Sequence, residues 1–435
     1  SYTGGRMFHM GWFLGLGFGV YGWNETWSGN VRADVAKPGL FVDMATSLER
    51  AGFDYMMLED SSVLPDVYRG SFEAALRVGI VRHDPVPLVP LLAAATSRLG
   101  IIATVATSFY PPFLAARLFT TLDHLTGGRV GVNLVTASPH AAAQNYGYEK
   151  HFEHDLRYVM ADEWVQTVKA LWETWDPDAV LLDEDTGVFA DHTKVRYANF
   201  EGRFFRSRGP LNTVPSPQGR PVLCQAGGSG AGREFGAKHA ETILAATVGP
   251  DAMKAYRDDV SERMIAHGRK PEECKVLYLV SPILGDTDEE AQEKKKRLRA
   301  AQAANLEGNL SAMSYFTGMD FSTFDLDAPM PDLAGNNGHQ STMADYMKSG
   351  RTLREIAANH RTVESVEFVG TPDTVAFQMG EVMEHVGGDG FLIASPVTRR
   401  NITEIADGLA PALRRRGLIR SSYSHETFRD NLLEF

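Results

Sequence analysis

Eight short, almost continuous apolar runs divide the chain. They cover residues 7–18, 55–59, 99–107, 129–136, 221–226, 242–247, 275–284 and 390–395. Such runs are typical of strands in a parallel sheet whose two faces are both covered by helices. Segments with helical periodicity lie between them, for example residues 40–52, 160–175 and 252–268. Eight strands that alternate with helices predict an α/β fold, a TIM (β/α)8 barrel with insertions.

Two polar stretches interrupt this alternation. Residues 177–216 contain Gly- and Asp-rich turns, and residues 305–365 are rich in Asn, Gly, Asp, Met and Ser. Loops of this length in a compact domain are usually functional. We therefore predict one barrel domain over residues 1–435, with both insertions above the carboxyl ends of the strands, where barrel enzymes have their active sites.

Composition restricts the partners and the location. The formal net charge of −12 argues against a nucleic-acid partner, because phosphates require a basic surface. The two cysteines, Cys224 and Cys274, do not form a disulfide framework, which favours the cytoplasm. No apolar run has the roughly 18 residues of a membrane span. The N-terminus also lacks the order of regions expected of a signal peptide.

A glycine-rich segment, GGSGAGREFGAKHA, follows the fifth apolar run and begins a predicted helix. Its glycines allow a close approach of backbone to ligand, and the free N–H groups at the start of a helix favour an anion. Ser229 is therefore a candidate to donate its hydroxyl to a phosphate and Arg233 to add charge, and a plain glycine-rich loop is the alternative. A second glycine pattern, at residues 17–22, runs into loop-forming residues and does not match a dinucleotide fingerprint.

Three apolar runs carry polar residues, and in residues 103–112 small polar groups beside Phe109 and Tyr110 suit a flat ring that carries heteroatoms. Asp60 follows the second run, Thr104 lies in the third, and Asn133 interrupts the fourth. A polar side chain within an apolar strand needs a hydrogen-bond partner, which is either a cofactor or another group of the barrel core. An N-cap role for Asp60 and a strand-end role for Thr104 are the alternatives.

The segment HFEHDLRY carries His151, His154 and Tyr158. His154 and Tyr158 are four residues apart, so they share one face if the segment is helical. They are candidates either to bind an anion or to cap the helix. No further ligands follow at metal-site spacing, so no metal is predicted.

Aromatic residues are concentrated at and after the first run. Trp12, Phe13, Phe18 and Tyr21 are divided between core and substrate pocket, and Phe316, in the second insertion, is a further substrate candidate. The chain has neither a nucleophile elbow nor an evident acid–base pair, which indicates chemistry carried by a cofactor.

Several long stretches together resemble one family. LERAGFDYMMLED (48–60), FYPPFLAARLFTTLDHLTGGRVGVNLVT (109–136), HFEHDLRYVMADE (151–163) and SPQGRPVLCQAGGSGAGREFGAKHAE (216–241) resemble the bacterial luciferase superfamily. The similarity is to the branch of nitrilotriacetate, dibenzothiophene-sulfone and dimethylsulfide monooxygenases, and it covers nearly the whole chain.

The resemblance implies a two-component system, in which a separate NAD(P)H:flavin reductase supplies FMN as FMNH2 by diffusion. It also implies a homodimer or homotetramer. By resemblance, the cofactor-binding residues are Asp60, Thr104, Asn133, His154, Tyr158, Gly228 and Ser229. Ser229 and Tyr158 are expected at the phosphate, and Asp60, Thr104 and Asn133 at the isoalloxazine or ribityl part.

We therefore expect a monooxygenase in which O2 forms a flavin peroxide that oxygenates a small organic substrate. The catalytic residue is not identified, and His154 is a candidate for proton transfer as well as for anchoring FMN. Closure of the 305–365 insertion is expected to exclude water, which would otherwise release hydrogen peroxide.

The substrate region departs from the family pattern. Where relatives carry a histidine followed by Trp-Arg, this chain reads GVYGWNETW, with Asn24 in place of the arginine. The aromatic residues favour an organosulfur or (hetero)aromatic substrate. Two alternatives stay open, a deazaflavin-dependent oxidoreductase that transfers hydride on the same barrel and a non-catalytic flavin-binding protein.

Overall fold

Eight parallel strands close into a barrel in which neighbours in sequence pair and the last strand pairs with the first. The computed structural model describes residues 7–137, 139–330 and 350–435. The barrel strands are β1 His9–Leu14, β2 Tyr55–Leu58, β3 Gly100–Ala106, β4 Val130–Val135, β5 Val222–Ala226, β6 Thr242–Ala245, β7 Lys275–Val280 and β8 Gly390–Ile393. Each predicted apolar run contains one of these strands, so the predicted TIM barrel is confirmed.

Helices surround the barrel. They are α1 Gly39–Arg50, α2 Glu73–Val78, α3 Val89–Ala94, α4 Pro112–Leu125, α5 His140–Asn145, α6 His154–Trp172, α7 Gly230–His239, α8 Pro250–Ala266, α9 Asp288–Ala304, α10 Leu306–Thr317, α11 Leu353–Ala358, α12 Pro372–Val386, α13 Arg399–Thr403, α14 Ala410–Arg415 and α15 Phe428–Leu432. A π-helical segment, Glu404–Leu409, joins α13 to α14. Within the described residues, no helix is long and apolar enough to cross a membrane.

Side chains of the barrel strands alternate between two apolar clusters. On β1, Met10, Trp12 and Leu14 belong to the large cluster that includes the inner faces of the surrounding helices. Phe13, between them in sequence, packs instead against the smaller cluster inside the barrel, which contains Tyr55. This is the two-residue period expected of a strand, and it separates two adjacent aromatic residues that the apolar pattern does not distinguish.

The last helix, α15, fills the amino-terminal end of the barrel. Phe428 is fully buried in the interior cluster and its ring lies 5.7 Å from that of Tyr55. The packing requires glycine on two strands, because a Cβ atom at Gly100 would lie 2.5 Å from the Phe428 ring and one at Gly131 3.1 Å from it. Since this end is filled by side chains, the opposite, carboxyl end is the one that can admit a ligand.

The first predicted insertion, residues 177–216, does not lie where we expected. It joins the end of α6 to the start of β5, and its strand pairs Val180–Asp183 with Val188–Ala190 and Phe200–Glu201 with Arg206–Ser207 form hairpins. His124, at the end of α4, contacts the Val214 carbonyl oxygen at 3.0 Å. The segment thus follows the outer face of α6 toward the amino-terminal end of the barrel, because a helix-to-strand connection reaches a parallel barrel at that end.

The second predicted insertion, residues 305–365, follows β7 and has its described part at the carboxyl end of the barrel. Tyr315 of α10 contacts the hydroxyl of Ser61, three residues after β2. Arg69 reaches the same region through an ion pair with Glu307 and a backbone hydrogen bond to Asp320. Residues 331–349 of this insertion lie outside the described residues.

Candidate functional site

Two polar side chains meet inside the carboxyl end of the barrel. Thr104 on β3 and Asn133 on β4 are paired in register, and both are almost fully buried. Asn133 Nδ2 donates to Thr104 Oγ1 at 3.2 Å, and Thr104 Oγ1 donates to the Leu58 carbonyl oxygen at 2.8 Å. Asn133 Oδ1 has no hydrogen-bond partner among the described residues. A buried acceptor of this kind is costly unless a ligand supplies a donor.

The glycine-rich loop between β5 and α7 brings Ser229 close to Tyr158 of α6. Ser229 caps α7, because its hydroxyl accepts a hydrogen bond from the Gly232 amide at 3.1 Å. A Cβ atom at Gly232 would lie 2.9 Å from Gly227, 3.1 Å from the Tyr158 hydroxyl and 3.2 Å from Ser229 Oγ. Any side chain at position 232 would therefore fill the space that these groups share, and glycine keeps it open. Gly228 lies in the same loop, exposed, directly before Ser229.

The Tyr158 hydroxyl has several polar neighbours. Burial raises the pKa of Tyr158, and the nearby Arg157 guanidinium and the side chains of Ser229, Gln225 and Thr136 oppose that rise. Gln225, on β5, is almost fully buried, and its Oε1 atom has no hydrogen-bond partner in the described part of the chain. Gln225 was not among the site residues predicted from the sequence. The signal was the one that identified Asn133, a polar residue within an apolar strand.

His154 is the first residue of α6, one turn before Tyr158. Its ring lies 5.4 Å from that of Tyr158 in an edge-to-face arrangement, so the two residues share a helix face as predicted. Its Nδ1 atom lies 3.0 Å from Asp155 Oδ1. Glu153, not His154, caps the helix by accepting hydrogen bonds from the amides of Asp155 and Leu156. The His154 ring is therefore not engaged in capping the helix.

Asp60 lies two residues beyond β2, beside a buried ion pair. Glu59 Oε2 accepts from Arg82 Nε at 2.7 Å. Burial, followed by the neighbouring carboxyl groups of Glu59 and Asp84, raises the pKa of Asp60 to about 7. Arg82 is paired with Glu59, and the half-buried Asp60 forms no ion pair with any described residue. No described helix begins at Asp60, which excludes the N-cap alternative.

Aromatic rings from two loops form part of the rim. Phe109, after β3, stacks on Tyr146 with ring centroids 4.4 Å apart and on His151 at 5.2 Å. The Tyr146 hydroxyl contacts Ser62 Oγ at 2.9 Å, which ties this loop to the one after β2. His151 Nε2 lies 2.8 Å from the Thr136 carbonyl oxygen. Within the residues that the structure describes, no group of three or more His, Cys, Asp or Glu side chains could hold a metal ion.

The predicted substrate residues occupy different parts of the molecule, although Phe18 and Tyr21 both pack on Phe41. Trp12 is fully buried between barrel and helices. Phe18 packs on Phe41, and the Tyr21 hydroxyl donates to the Gly17 carbonyl oxygen at 2.9 Å and so holds a local turn. Phe13 packs against the barrel-interior cluster. Phe316 of α10 is 37% exposed and lies 5.4 Å from the ring of Tyr315. Phe13 therefore lies in the barrel interior, and Phe316 lies on α10, whose Tyr315 contacts the loop after β2.

The arrangement defines a (β/α)8 enzyme whose chemistry depends on a bound cofactor. Thr104 and Asn133 form a polar surface inside the barrel. At the start of α7, Gly232, Tyr158 and Ser229 border an open space, the cradle. Together these two features suit an elongated ligand with a phosphate at one end. The model of the family described as luciferase-like monooxygenase matches residues 17–390. The chain belongs to this family, and the enzyme class predicted from the sequence, a monooxygenase, is confirmed.

Individual relatives agree with this assignment. The chain is 34% identical to dibenzothiophene-sulfone monooxygenase of Rhodococcus erythropolis (strain XP), over 98% of this chain and 96% of the relative. It is 36% identical to dimethyl-sulfide monooxygenase of Hyphomicrobium sulfonivorans, over 90% and 83% of the two chains. The fold is similar to that of a riboflavin lyase crystallised with modified FMN and riboflavin. That comparison has a TM-score of 0.90 and 30% identity, over 99% of this chain and 96% of the other.

Proposed function

We propose that this protein is the oxygenating component of a two-component monooxygenase, which binds FMNH2 at the carboxyl end of the barrel and oxygenates a small organic substrate. The expected cofactor is borne out by the comparisons, because a solved relative was crystallised with modified FMN. The curated relatives named above are monooxygenases. This favours oxygenation over hydride transfer by a deazaflavin and over a non-catalytic flavin-binding role.

One observation carries the proposal, the unsatisfied Oδ1 atom of Asn133 beside Thr104. FMN offers ring and ribityl donors of the kind that this acceptor lacks. We assign Asp60, Thr104 and Asn133 to the isoalloxazine or ribityl part. At the other end, the space kept open by Gly232 between Tyr158 and Ser229 suits the phosphate.

The residues of the chain bind, orient and enclose the cofactor. The neighbouring strands β3 and β4 hold Thr104 and Asn133 in fixed register, so the ring would be presented in one orientation. We assign His154 and Gly228 to the phosphate end with Tyr158 and Ser229. Reduced FMN, when bound, supplies the electrons that activate O2. We further propose that α10 helps to exclude water through the contact of Tyr315 with Ser61.

For the substrate, we propose a small organosulfur or (hetero)aromatic compound. We assign Phe13, in the barrel interior, and Phe316, on α10, to the substrate, whereas Trp12, Phe18 and Tyr21 are used in packing. Asp60 and Asp84 lie together at the rim, and the neighbouring Arg82 is paired with Glu59. This charge distribution disfavours anionic substrates.

We also propose the remaining partners and the setting. A separate NAD(P)H:flavin reductase would supply FMNH2 by transient, diffusive transfer, as in the systems that this chain resembles. We propose one domain over residues 1–435, a homodimer or homotetramer, and a cytoplasmic location. The two cysteines, Cys224 and Cys274, are buried and unpaired, which is consistent with that location.

The decisive experiment measures oxygen consumption and product formation with purified protein, FMN, NADH and a generic flavin reductase. The substrate panel contains organosulfur, heteroaromatic and aminocarboxylate compounds. Product that disappears when FMN is withheld supports the proposal. Absence of FMNH2 binding in an anaerobic titration contradicts it and favours the deazaflavin alternative, which the same titration with the reduced deazaflavin would test.

A further inference from the structure

Arg157, on α6 directly before Tyr158, is a buried arginine with unused hydrogen-bond donors. The residue is 1% exposed. Its Nε and Nη1 atoms have no hydrogen-bond partner in the part of the chain that the structure describes. Burial lowers the pKa of Arg157 below its ordinary value, although the guanidinium stays charged at neutral pH. A buried cation of this kind normally has an anionic partner.

Two other buried arginines have such a partner, whereas a third, Arg129, donates instead to carbonyl oxygens and to the Thr96 hydroxyl. Arg420 lies 3.0 Å from Asp54, and Arg257 lies 3.1 Å from Asp389. Glu153 is the acidic group that opposes the lowering of the Arg157 pKa. However, its carboxylate oxygens accept from the amides of Asp155 and Leu156, and it forms no ion pair with Arg157. Among the residues that the structure describes, the positive charge of Arg157 is therefore left without a carboxylate.

The unpaired charge lies next to the cradle at the start of α7. Burial raises the pKa of Tyr158, and the Arg157 guanidinium is the largest of the influences that oppose this rise. The guanidinium is therefore within electrostatic reach of the hydroxyl that borders the space beside Ser229 and Gly232. The guanidinium charge also contributes to lowering the pKa of His151, which lies in the loop before α6. Arg157 and Tyr158 are neighbours on α6, so the buried, unpaired guanidinium and the open space that the Tyr158 hydroxyl borders are close together.

We infer that Arg157 is a binding residue for the phosphate of the flavin cofactor and supplies the positive charge that this dianion requires. The inference rests on the proposed function, and it adds a residue that neither the sequence motifs nor the family resemblance identified. A guanidinium is suited to phosphate because its planar N–H groups match the phosphate oxygens. The neutral hydroxyls of Tyr158 and Ser229 do not provide this charge.

The inference predicts opposite effects on stability and on binding. In the free protein, the uncompensated charge is unfavourable, so its removal is expected to leave stability unchanged or to increase it. In the complex, the same removal deprives the phosphate of its cation. A purely structural arginine would behave differently, because its loss would destabilise the fold and affect all ligands alike.

The test compares FMNH2 with reduced riboflavin, which lacks the phosphate, in anaerobic titrations followed by protein fluorescence. Arg157→Met removes the charge and keeps the length of the side chain, and Arg157→Lys keeps the charge without the planar group. Arg297→Met, on the exposed surface of α9, is the matched control for the loss of one positive charge. The melting temperature of each protein without ligand is measured in parallel.

We expect Arg157→Met to weaken FMNH2 binding by about 10- to 100-fold, as for the loss of charge-assisted hydrogen bonds. Its affinity for riboflavin should stay within about twofold, and Arg157→Lys should be intermediate. The melting temperature should not fall. Equal weakening of both ligands, or a destabilised free protein, would overturn the inference. Wild-type protein that binds neither reduced flavin would instead overturn the proposed function itself.

Discussion

Asn133 donates a hydrogen bond from Nδ2 to Thr104 Oγ1 on the neighbouring barrel strand, at 3.2 Å, and its own Oδ1 is left without a partner in the described structure. Thr104 Oγ1 in turn donates a hydrogen bond to the Leu58 carbonyl oxygen at 2.8 Å. The direction of these bonds is fixed, because the carbonyl oxygen can only accept. The free acceptor of Asn133 is therefore a consequence of the network and is the atom best placed to receive a donor from a ligand.

Asn133→Leu should weaken FMNH2 binding by about tenfold and leave the free protein at least as stable as wild type. Loss of an unsatisfied buried acceptor is close to neutral, whereas loss of a ligand hydrogen bond costs about 1 kcal/mol or more. Anaerobic titration and urea unfolding would measure the two effects. Thr104→Val is the comparison, because it breaks the existing bond to Leu58. A strongly destabilised Asn133→Leu protein with unchanged affinity would contradict the assignment.

His154→Asn distinguishes the two roles considered for His154. The ring lies against Tyr158, at the phosphate end. We therefore expect weaker FMNH2 binding, by about tenfold, with product yield per bound flavin preserved. His192→Asn, at an exposed position in the first insertion (residues 177–216), is the control. Unchanged binding with a lower product yield would instead indicate that His154 transfers a proton.

Asp60 should make the stability of the protein depend on pH near neutrality. Burial and the carboxyl groups of Glu59 and Asp84 raise its pKa to about 7, so the folded protein holds a proton that the unfolded chain has released. The stabilising contribution is fully present below about pH 4 and is lost as pH rises through about 7.

Asp60→Asn stays neutral and removes this loss. The melting temperature of the variant, relative to wild type, should therefore rise between about pH 5 and about pH 8. Asp407→Asn, at a surface carboxylate that pairs with Arg50, should show no such trend. A constant difference between Asp60→Asn and wild type would show that the carboxyl group titrates elsewhere.

Tyr315→Phe should increase the fraction of reduced flavin that yields hydrogen peroxide instead of product. The substitution removes the hydroxyl that joins α10 to Ser61, at the rim where water has to be excluded. The ratio of peroxide to NADH consumed measures the effect, which we expect to be about two- to fivefold. Tyr197→Phe, the same change in the insertion at the other end of the barrel, should leave the ratio unaltered.

Asp54 should contribute strongly to stability. It is fully buried, lies 2.8 Å from His9 and 3.0 Å from Arg420, and accepts from the Met10 amide at 3.1 Å. Despite burial, which raises it, the pKa of Asp54 is lowered to about 2 by Arg420 and His9. Its stabilising contribution is therefore present above about pH 4 and is lost as pH falls through about 2.

Asp54→Asn should lower the free energy of unfolding by about 3–5 kcal/mol near pH 7, since it leaves a buried arginine without its partner. Urea titrations at several pH values would show the difference from wild type shrinking toward low pH. The surface variant Asp407→Asn should change stability by less than about 1 kcal/mol. A small effect of Asp54→Asn at neutral pH would contradict the burial seen at this site.

The sequence by itself determined the eight strands, their alternation with helices and hence the barrel. Runs that are apolar at every position identify strands covered on both faces, and the carboxyl ends of such strands meet at one end of a barrel. For the same reason, the sequence places Asp60, Thr104 and Asn133 at the carboxyl end of the barrel. The glycine loop with Ser229 and the helix spacing of His154 and Tyr158 were equally local patterns.

Only the tertiary structure decided which face each strand residue presents and what each buried polar group meets. A strand that is apolar on both faces shows no two-residue alternation of hydrophobicity, so the sequence does not distinguish Trp12 from Phe13. In the closed barrel, Trp12 faces the surrounding helices and Phe13 faces the interior. The position of residues 177–216 followed from the direction of the connection, not from their composition. Packing buries Arg157 and Gln225 and leaves the Arg157 Nε and Nη1 donors and the Gln225 Oε1 acceptor without partners among the described residues. The pattern of apolar and polar positions along the chain does not predict this.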